Sequence, residues 1–344
     1  MSEVPFETVR PDVAILVGPT HPKLGNKVAE LLGIEPIPVE YKRFPDTEQY
    51  TNIEDNVRGQ IVVAINTHAA VRGLPIESSL YTHMQMIDAA VRNHAREVIP
   101  VAPYYAGGRQ DKRIPGKRAA MSAFLNLEML QAAGASSFYT VDIHDSHAFD
   151  HWGKQRGTAD QFTAQRMLAN HLGTLMVGDP ADYLLLSPDK GHKDDLLPRA
   201  RTLGIDLEAL TKYRDPDTAE ISHEEITRPE VFAGRTIFMM DDQLSTGSTH
   251  LSAANTVLRA ADIEDMYLAV THASFVGNAV ELLRNGPFKG IFVTDTIPIS
   301  RSVVKALKGK LEVFSAAEVI ADGLKKVLTG GSVSELDEDP EPVH

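Results

Sequence analysis

Short apolar runs alternate with segments of helical periodicity along most of this chain, and this alternation restricts the possible folds more than any other feature. The runs lie at residues 13–17, 61–65, 98–102, 138–143, 183–186, 236–240, 266–270 and 291–294. Runs that are apolar throughout, rather than at every second residue, are typical of strands that a parallel sheet buries on both faces. We therefore predict that each run forms a buried parallel strand.

Between the runs, apolar residues recur at steps of three or four and predict helices with one buried face. Two such sets are Ile76, Leu80, Met84, Ile87 and Val91, and Leu251, Ala254, Val257, Leu258 and Ala261. Strands and helices in alternation indicate an α/β fold, in which helices cover both faces of a parallel sheet. In such folds ligands bind in the loops at the carboxyl ends of the strands, so functional residues are expected there.

The chain is long enough for two domains, and its strand rhythm places their junction. With 344 residues, 43% of them hydrophobic, it can bury two cores. The rhythm is interrupted over residues 150–178 and then resumes, so we predict domains at 1–155 and 156–329. Residues 330–344 are acidic and almost without apolar side chains, which predicts a disordered tail.

Charge and composition exclude several classes of protein. A formal net charge of −13 argues against a general polyanion-binding surface, so nucleic acid is not an expected partner. Without cysteine the chain forms no disulfide, thiolate metal site or cysteine nucleophile. No leader-like segment and no run of about 18 apolar residues is present, so secretion and membrane insertion are not expected and a cytoplasmic location is predicted.

The most informative segment is TIFMMDDQLSTGSTHLSAANTVL, which combines a predicted strand, two carboxylates, a loop of small residues and a helix. Backbone N–H groups of such a loop converge on an anion at the positive end of the helix. Asp241 and Asp242 would hold sugar hydroxyls or a hydrated metal, and the alternative is a capped helix behind an acidic turn. The loop residues are Ser245, Thr246, Gly247, Ser248 and Thr249.

A basic loop, PYYAGGRQDKRIPGKR, follows the strand at residues 98–102. Gly107 and Gly108 give its backbone freedom, and its cations would clamp a triphosphate. The alternative is a solvated basic loop. The cations are Arg109, Lys112, Arg113, Lys117 and Arg118.

Candidate metal ligands follow two further strands. VDIHDSH supplies Asp142, His144 and His147, and LLSPDKGHKD supplies Asp189 and His192. Mg²⁺ prefers oxygen, so Asp189 is the natural ligand and His144 a less usual one. The histidine spacing is not that of a zinc site, and hydrogen-bonded structural histidines are the alternative.

A third set of cations lies in LTKYRDPDTAEI. Lys212 and Arg214 are two residues apart and share a face of an extended segment. There they would neutralise charge on a transferring phosphoryl group, or they are simply solvated.

In this order, the segments resemble the ribose-phosphate diphosphokinase (phosphoribosyl pyrophosphate synthetase) family over roughly residues 12–325. RFPDTE resembles the family's nucleotide loop Phe-x-Asp-Gly-Glu, and PYYAGGRQDKR its Pro-Tyr-x-x-x-x-Arg-Gln-Asp segment. VDIH resembles its Asp-Leu-His motif, SPDKG its Ser-Pro-Asp-x-Gly motif and KYR its Lys-Arg-Arg catalytic loop. DDQLSTGST resembles its ribose-phosphate loop Asp-Asp-x-x-Asp-Thr-Ala/Gly-Gly-Thr.

The resemblance implies a role for each matched residue. ATP would bind to Asp46, Glu48, Arg109 and Gln110, with Phe44 near the adenine. Magnesium would bind to His144 and Asp189, and Lys212 and Arg214 would be catalytic. Ribose phosphate would bind to Asp241, Asp242, Ser245, Thr246, Gly247, Ser248 and Thr249.

The resemblance also implies architecture and reaction. It implies two similar α/β domains with type I phosphoribosyltransferase topology, an N-terminal nucleotide-binding domain and a C-terminal ribose-phosphate-binding domain whose last helix can return to the first. The diphosphoryl group of ATP would pass to the anomeric hydroxyl of ribose 5-phosphate, releasing AMP. A homo-oligomer is implied, because the nucleotide loop of the family reaches a neighbouring subunit.

Three residues depart from the family pattern. Thr47 replaces a glycine, Ser245 an acidic residue and Ser248 a glycine. The last two changes leave open a larger acceptor such as ADP-ribose. The same segments are also compatible with a type I phosphoribosyltransferase or with a non-catalytic regulatory homologue.

Overall fold

The computed structural model describes residues 5–71, 73–113, 116–214, 221–226 and 228–336, apart from the side chains of 154–156, 212–214, 221–225 and 335. Contacts between Cα atoms divide these residues into two compact units. The first comprises residues 5–163, Thr296–Pro298 and 315–336, and the second comprises Ala164–Asp295 and Ile299–Phe314.

The first unit is built on a five-stranded parallel sheet of order β1-β4-β5-β6-β7 with a separate β2–β3 hairpin. Its strands are Val13–Val17 (β1), Val39–Arg43 (β2), Gln49–Ile53 (β3), Ile61–Ile65 (β4), Glu97–Ala102 (β5), Ser137–Val141 (β6) and Thr158–Phe162 (β7). Its helices are Phe6–Val9 (α1), Pro22–Leu32 (α2), Ile76–Arg92 (α3), Ser122–Ala132 (α4), His147–Arg156 (α5) and, after the second unit, Ala317–Thr329 (α11).

The second unit is built on a six-stranded parallel sheet of order β15-β14-β13-β12-β8-β9. Its strands are Tyr183–Ser187 (β8), Asp206–Ala209 (β9), Thr211–Arg214 (β10), Ile221–Glu225 (β11), Thr236–Leu244 (β12), Met266–Ala273 (β13), Gly290–Thr294 (β14) and Leu311–Phe314 (β15), of which β10 and β11 form a hairpin. Its helices are Gln165–Thr174 (α6), Leu197–Leu203 (α7), Ser248–Ala260 (α8), Ala279–Asn285 (α9) and Arg301–Ala306 (α10). No helix in the described part of either unit has the length and hydropathy that a bilayer span requires.

The two sheets share one strand order. In the first unit a parallel bridge pairs Ile37, just before β2, with Leu16 in β1, and the later strands follow on the other side of β1. In the second unit β9 lies on one side of β8, and β12 to β15 follow on the other. The order therefore reverses between β1 and β4 in one unit and between β8 and β12 in the other, and such reversals form ligand-binding crevices at the carboxyl ends of the strands.

Side chains on both faces of the second sheet are buried, as the continuous apolar runs predicted. Leu184 and Leu186 of β8 pack into one apolar cluster with Met239, whereas Leu185 packs with Phe238 on the opposite face. Alternate residues of a strand point to opposite faces, so helices must cover both.

The predicted break in strand rhythm over residues 150–178 is wrong in part, because β7 lies inside it. The sequence of β7, TADQF, contains two polar residues and lies at the edge of the sheet, where one side makes no ladder. β9 and β15 are also edge strands of mixed polarity, and the apolar pattern missed all three.

Helix α11 packs in the first unit, where Gly323 lies against Phe162 of β7. A Cβ atom at Gly323 would lie 2.2 Å from the Phe162 ring, so only glycine permits this approach. Beyond α11, Val333–Leu336 forms a short 3₁₀ helix with Val333 buried, so the predicted disorder does not begin at residue 330. Residues 337–344 of the predicted tail lie outside the described residues.

Candidate active site

Strand β12 leads into a tight loop that begins helix α8. Gly247 is the N-cap of α8, with φ of +75°, and no side chain caps the helix. A Cβ atom at Gly247 would lie 3.5 Å from Leu283, so a side chain has room there but the backbone conformation favours glycine. The uncapped N–H groups of the first turn and the helix dipole make this loop suitable for an anion.

Hydroxyl groups add donors to the same loop. The Thr246 and Ser248 hydroxyls are 2.8 Å apart, and the Ser248 N–H donates to Thr246 Oγ1 at 3.4 Å. Both residues are exposed, so the side chain that Ser248 adds lies on the solvent side of the loop.

The two adjacent carboxylates lie within β12, which continues to Leu244 beside β13, four residues past its predicted end. The Asp242 N–H donates to Asp241 Oδ1 at 3.0 Å, and His250 Nε2 lies 2.8 Å from Asp241 Oδ2. Burial raises the pKa of Asp241 and the charge of Asp242 raises it further, while the hydrogen bond from His250 opposes the shift. Sequence reasoning missed His250, since a single histidine in a helical pattern carries no signal of its own.

Asp189 follows β8, across the crevice from β12. Its Oδ1 accepts the Gly191 N–H at 3.0 Å and caps a short 3₁₀ turn, Lys190–His192. The hydrogen bond with Asp195 raises the pKa of His192 to about 9 against the effect of burial, and the charges of Asp242 and Asp241 add to the rise. The ends of β8 and β12 thus face each other electrostatically at the reversal of strand order.

The corresponding crevice of the first unit is filled by Asn66. A Cβ atom at Gly18 would lie 2.1 Å from Asn66 Oδ1, and Asn66 Nδ2 donates to the Ser79 carbonyl at 2.8 Å. This packing leaves the ends of β5 and β6 to carry the predicted nucleotide residues.

The loop after β5 is fixed by hydrogen bonds to α4. The carbonyl of Gly107, whose φ is +84°, accepts the Gln110 N–H at 2.8 Å. The Asn126 amide donates to the Ala106 carbonyl at 2.8 Å, and the Ser122 hydroxyl donates to Gln110 Oε1 at 2.6 Å. Arg109 and Gln110 are consequently exposed on a rigid turn.

A buried pair of histidines supports the same loop from below. His68 Nδ1 accepts the Ala106 N–H at 3.3 Å, His68 Nε2 lies 2.9 Å from His83 Nδ1, and His83 Nε2 lies 2.9 Å from the Ala64 carbonyl. These partners require both rings to be neutral, with the hydrogens on Nε2. Burial lowers the pKa of His83 to about 4, and burial and His83 lower that of His68.

His144 follows β6, which ends at Val141 because Asp142 adopts φ of +34°. Asp145 forms an ion pair with Lys112 of the basic loop and accepts the His147 N–H at 2.8 Å. Burial opposes the ionisation of Asp145, but these bonds outweigh it and lower its pKa. The structure therefore brings the basic loop and the His144 segment together within the first unit.

The hairpin of β2 and β3 carries the remaining predicted nucleotide residues. The Phe44 N–H donates to the Glu48 carbonyl and the Thr47 N–H to the Phe44 carbonyl, both at 2.9 Å. Thr47 has φ of +77°, which explains why glycine suits this position. Phe44 is 37% exposed, and Asp46 and Glu48 are exposed at the same tip.

The remaining predicted residues are distributed as follows. Asp142 is buried, His147 begins α5 near Phe124, and Arg113, Lys117 and Arg118 are exposed. The side chains of Lys212 and Arg214 lie outside the described residues, although their backbone forms β10. His144 belongs to the first unit and Asp189 to the second.

Comparisons with known proteins agree over most of the chain. The profile of the N-terminal domain of ribose phosphate pyrophosphokinase matches residues 13–134, and that of the phosphoribosyl synthetase-associated domain matches residues 220–337. The ribose-phosphate pyrophosphokinase of Streptomyces avermitilis is 31% identical over 93% of this chain and 94% of its own, and that of Aquifex aeolicus is 29% identical over 94% and 98%. The crystal structure of phosphoribosylpyrophosphate synthetase from Mycobacterium smegmatis has a TM-score of 0.79 at 26% identity and covers 93% of this chain and all of its own. This likeness confirms the predicted fold class.

Proposed function

Because the chain belongs to the ribose-phosphate pyrophosphokinase family, we propose that it transfers the diphosphoryl group of ATP to the anomeric hydroxyl of ribose 5-phosphate. The products are phosphoribosyl pyrophosphate and AMP. The observation that carries the proposal is the small-residue loop at the start of α8, beside Asp241 and Asp242, at the reversal of strand order. The loop suits the 5-phosphate, and the carboxylates suit the ribose hydroxyls.

In this reaction the anomeric oxygen attacks the β-phosphorus of ATP in line. A bond forms between that oxygen and the β-phosphorus, the bond from the β-phosphorus to the oxygen bridging it to the α-phosphorus breaks, and the hydroxyl proton passes to water. Catalysis of such transfers comes mainly from positioning and charge stabilisation. Arg109, Lys212 and Arg214 supply the positive charge that the transferring group and departing AMP require.

His144 and Asp189 suit a magnesium ion that arrives with the nucleotide. No group of three or more histidine and acidic side chains among the described residues is arranged to hold a metal. Mg²⁺ usually keeps several waters and binds few protein ligands beside phosphate oxygens, so one carboxylate and one imidazole fit it. Bound there, it would polarise the phosphate oxygens.

We expect Asp189→Asn to lower kcat/KM for ATP about tenfold, because the amide preserves the cap on Gly191 but removes the charge that attracts magnesium. Raising the magnesium concentration should restore part of the loss. The measurement is a magnesium titration of initial rates, with Asp194→Ala as the exposed control on the same turn. Unchanged magnesium dependence in Asp189→Asn would remove Asp189 from the site.

The acceptor can be tested directly, because Ser245 and Ser248 alter the phosphate loop. The Thr246 and Ser248 hydroxyls face solvent and leave the helix terminus accessible to a terminal phosphate. We therefore expect ribose 5-phosphate to give a higher kcat/KM than ADP-ribose when AMP release is measured with each. A preference for ADP-ribose would overturn the acceptor while retaining the transfer chemistry.

The exposed hairpin tip supports a homo-oligomer in which Phe44, Asp46 and Glu48 complete a neighbour's nucleotide site. We expect specific activity to fall on dilution over the concentrations at which analytical ultracentrifugation shows subunits separating. A fully active monomer would contradict this role. A cytoplasmic location is proposed as well, where ATP is abundant and a chain without cysteine loses nothing in a reducing environment.

A further inference from the structure

His250 lies behind the sugar-binding carboxylates, on the third residue of α8. Its side chain is 3% exposed, and its Nε2 atom lies 2.8 Å from Asp241 Oδ2. Its Nδ1 atom is buried and finds no hydrogen-bond partner among the described residues. The hydrogen therefore belongs on Nε2, from which it is donated to Asp241, since a hydrogen on Nδ1 would be buried without an acceptor.

The bond from His250 fixes one half of the Asp241 carboxylate, and the Asp242 N–H fixes the other half at 3.0 Å. A carboxylate oxygen accepts two hydrogen bonds, so one internal partner on each oxygen leaves one acceptor position on each. Two oxygens held in one plane, each with a remaining acceptor position, match two neighbouring hydroxyls of a ribose. The Asp242 N–H alone would leave Oδ2 free to turn.

The same helix thus carries two functions on adjacent residues. Its N-terminal loop, through Gly247 and Ser248, addresses the phosphate, and its first buried side chain, His250, orients the carboxylate for the sugar. Because both belong to α8, the spacing between phosphate and hydroxyl contacts is set within one rigid element.

We propose that His250 is a positioning residue that holds Asp241 in the orientation in which it accepts hydrogen bonds from the ribose hydroxyls of the acceptor. This inference rests on the proposed function. It concerns only the acceptor, because the nucleotide residues Arg109 and Gln110 belong to the other unit.

The test compares His250→Leu, which fills the same space without a donor, with His250→Gln, whose amide N–H extends to a similar reach as Nε2. We expect His250→Leu to raise the KM for ribose 5-phosphate about tenfold and to leave the KM for ATP within about twofold, as for loss of one charge-assisted hydrogen bond. His250→Gln should recover most of the loss. His171→Leu, at a partly buried histidine elsewhere in the second unit, is the control for a general packing effect and should change neither KM.

A ligand-binding measurement separates this inference from the proposed function. Calorimetric titration of ribose 5-phosphate, with magnesium and the non-cleavable α,β-methylene analogue of ATP, reports acceptor binding without turnover. If the unmodified protein binds ribose 5-phosphate but releases no AMP from ATP, the proposed reaction fails while weaker binding by His250→Leu and recovery by His250→Gln still support the inference. Equal affinity in His250→Leu and the unmodified protein overturns the inference alone, equal losses in the Gln and Leu variants overturn it as well, and no binding by the unmodified protein overturns both.

Discussion

Replacement of Gly247 by valine is expected to raise the KM for ribose 5-phosphate by about 30- to 100-fold. Gly247 has φ of +75°, a conformation that costs a β-branched residue on the order of 2 kcal/mol. Since Leu283 would lie at an ordinary 3.5 Å from the added Cβ, the side chain fits and the loop changes conformation instead. The N–H groups of the first turn of α8 then no longer converge on the phosphate.

Two matched variants locate the effect. Gly247→Ala should give an intermediate KM, because alanine is not β-branched, and Ser248→Gly should keep or lower the KM, because it only removes an exposed hydroxyl. Steady-state kinetics with ATP and ribose 5-phosphate varied separately provide the measurement, and the KM for ATP should stay constant. A KM for ribose 5-phosphate that is unchanged in Gly247→Val would show that the phosphate binds elsewhere.

Acidification from pH 6.5 to pH 4 is expected to lower the free energy of unfolding of the first unit by about 3 kcal/mol through His83 alone. Burial lowers the pKa of His83 from 6.5 to about 4, so the folded unit stays unprotonated there while the unfolded chain binds the proton. Stability is therefore complete above pH 6.5 and is lost as the pH falls towards 4. His68, whose pKa burial also lowers, adds to the loss.

The single tryptophan of the chain makes this measurable. Trp152 is buried in the apolar cluster of the first unit, so its fluorescence during urea unfolding reports on that unit. His83→Gln should unfold at nearly the same urea concentration near neutral pH and lose less stability on acidification, because the amide offers the same donor and acceptor without titrating. His94→Asn, at an exposed histidine, should retain the full pH dependence. Equal acid sensitivity in His83→Gln and the unmodified protein would show that the loss of stability has another source.

The sequence predicted the helices better than the faces they bury. The apolar steps in α3 and α8 marked both helices, yet Val91 and Leu258 are exposed. The buried faces instead include His83 and His250, which a hydropathy pattern reads as polar. Their burial depends on partners far along the chain or on another element, such as the Ala64 carbonyl, and a linear pattern does not contain these partners.

The candidate site was predicted best where chemistry and backbone coincide. Small residues and paired carboxylates after a buried strand required the loop at α8, and the strand order of the second unit brings Asp189 to the same crevice. The closure of the equivalent crevice in the first unit by Asn66 carried no sequence signal, because it depends on the close approach of Gly18.

Diphosphoryl transfer itself can be followed with two labels in ATP, in the presence of magnesium and ribose 5-phosphate. With label on the γ-phosphorus, we expect radioactivity in phosphoribosyl pyrophosphate, and with label on the α-phosphorus we expect radioactivity in AMP, in equal amounts and only when the acceptor is present. Release of γ-label as inorganic phosphate with formation of ADP, or no transfer to ribose 5-phosphate at all, would refute the proposed reaction.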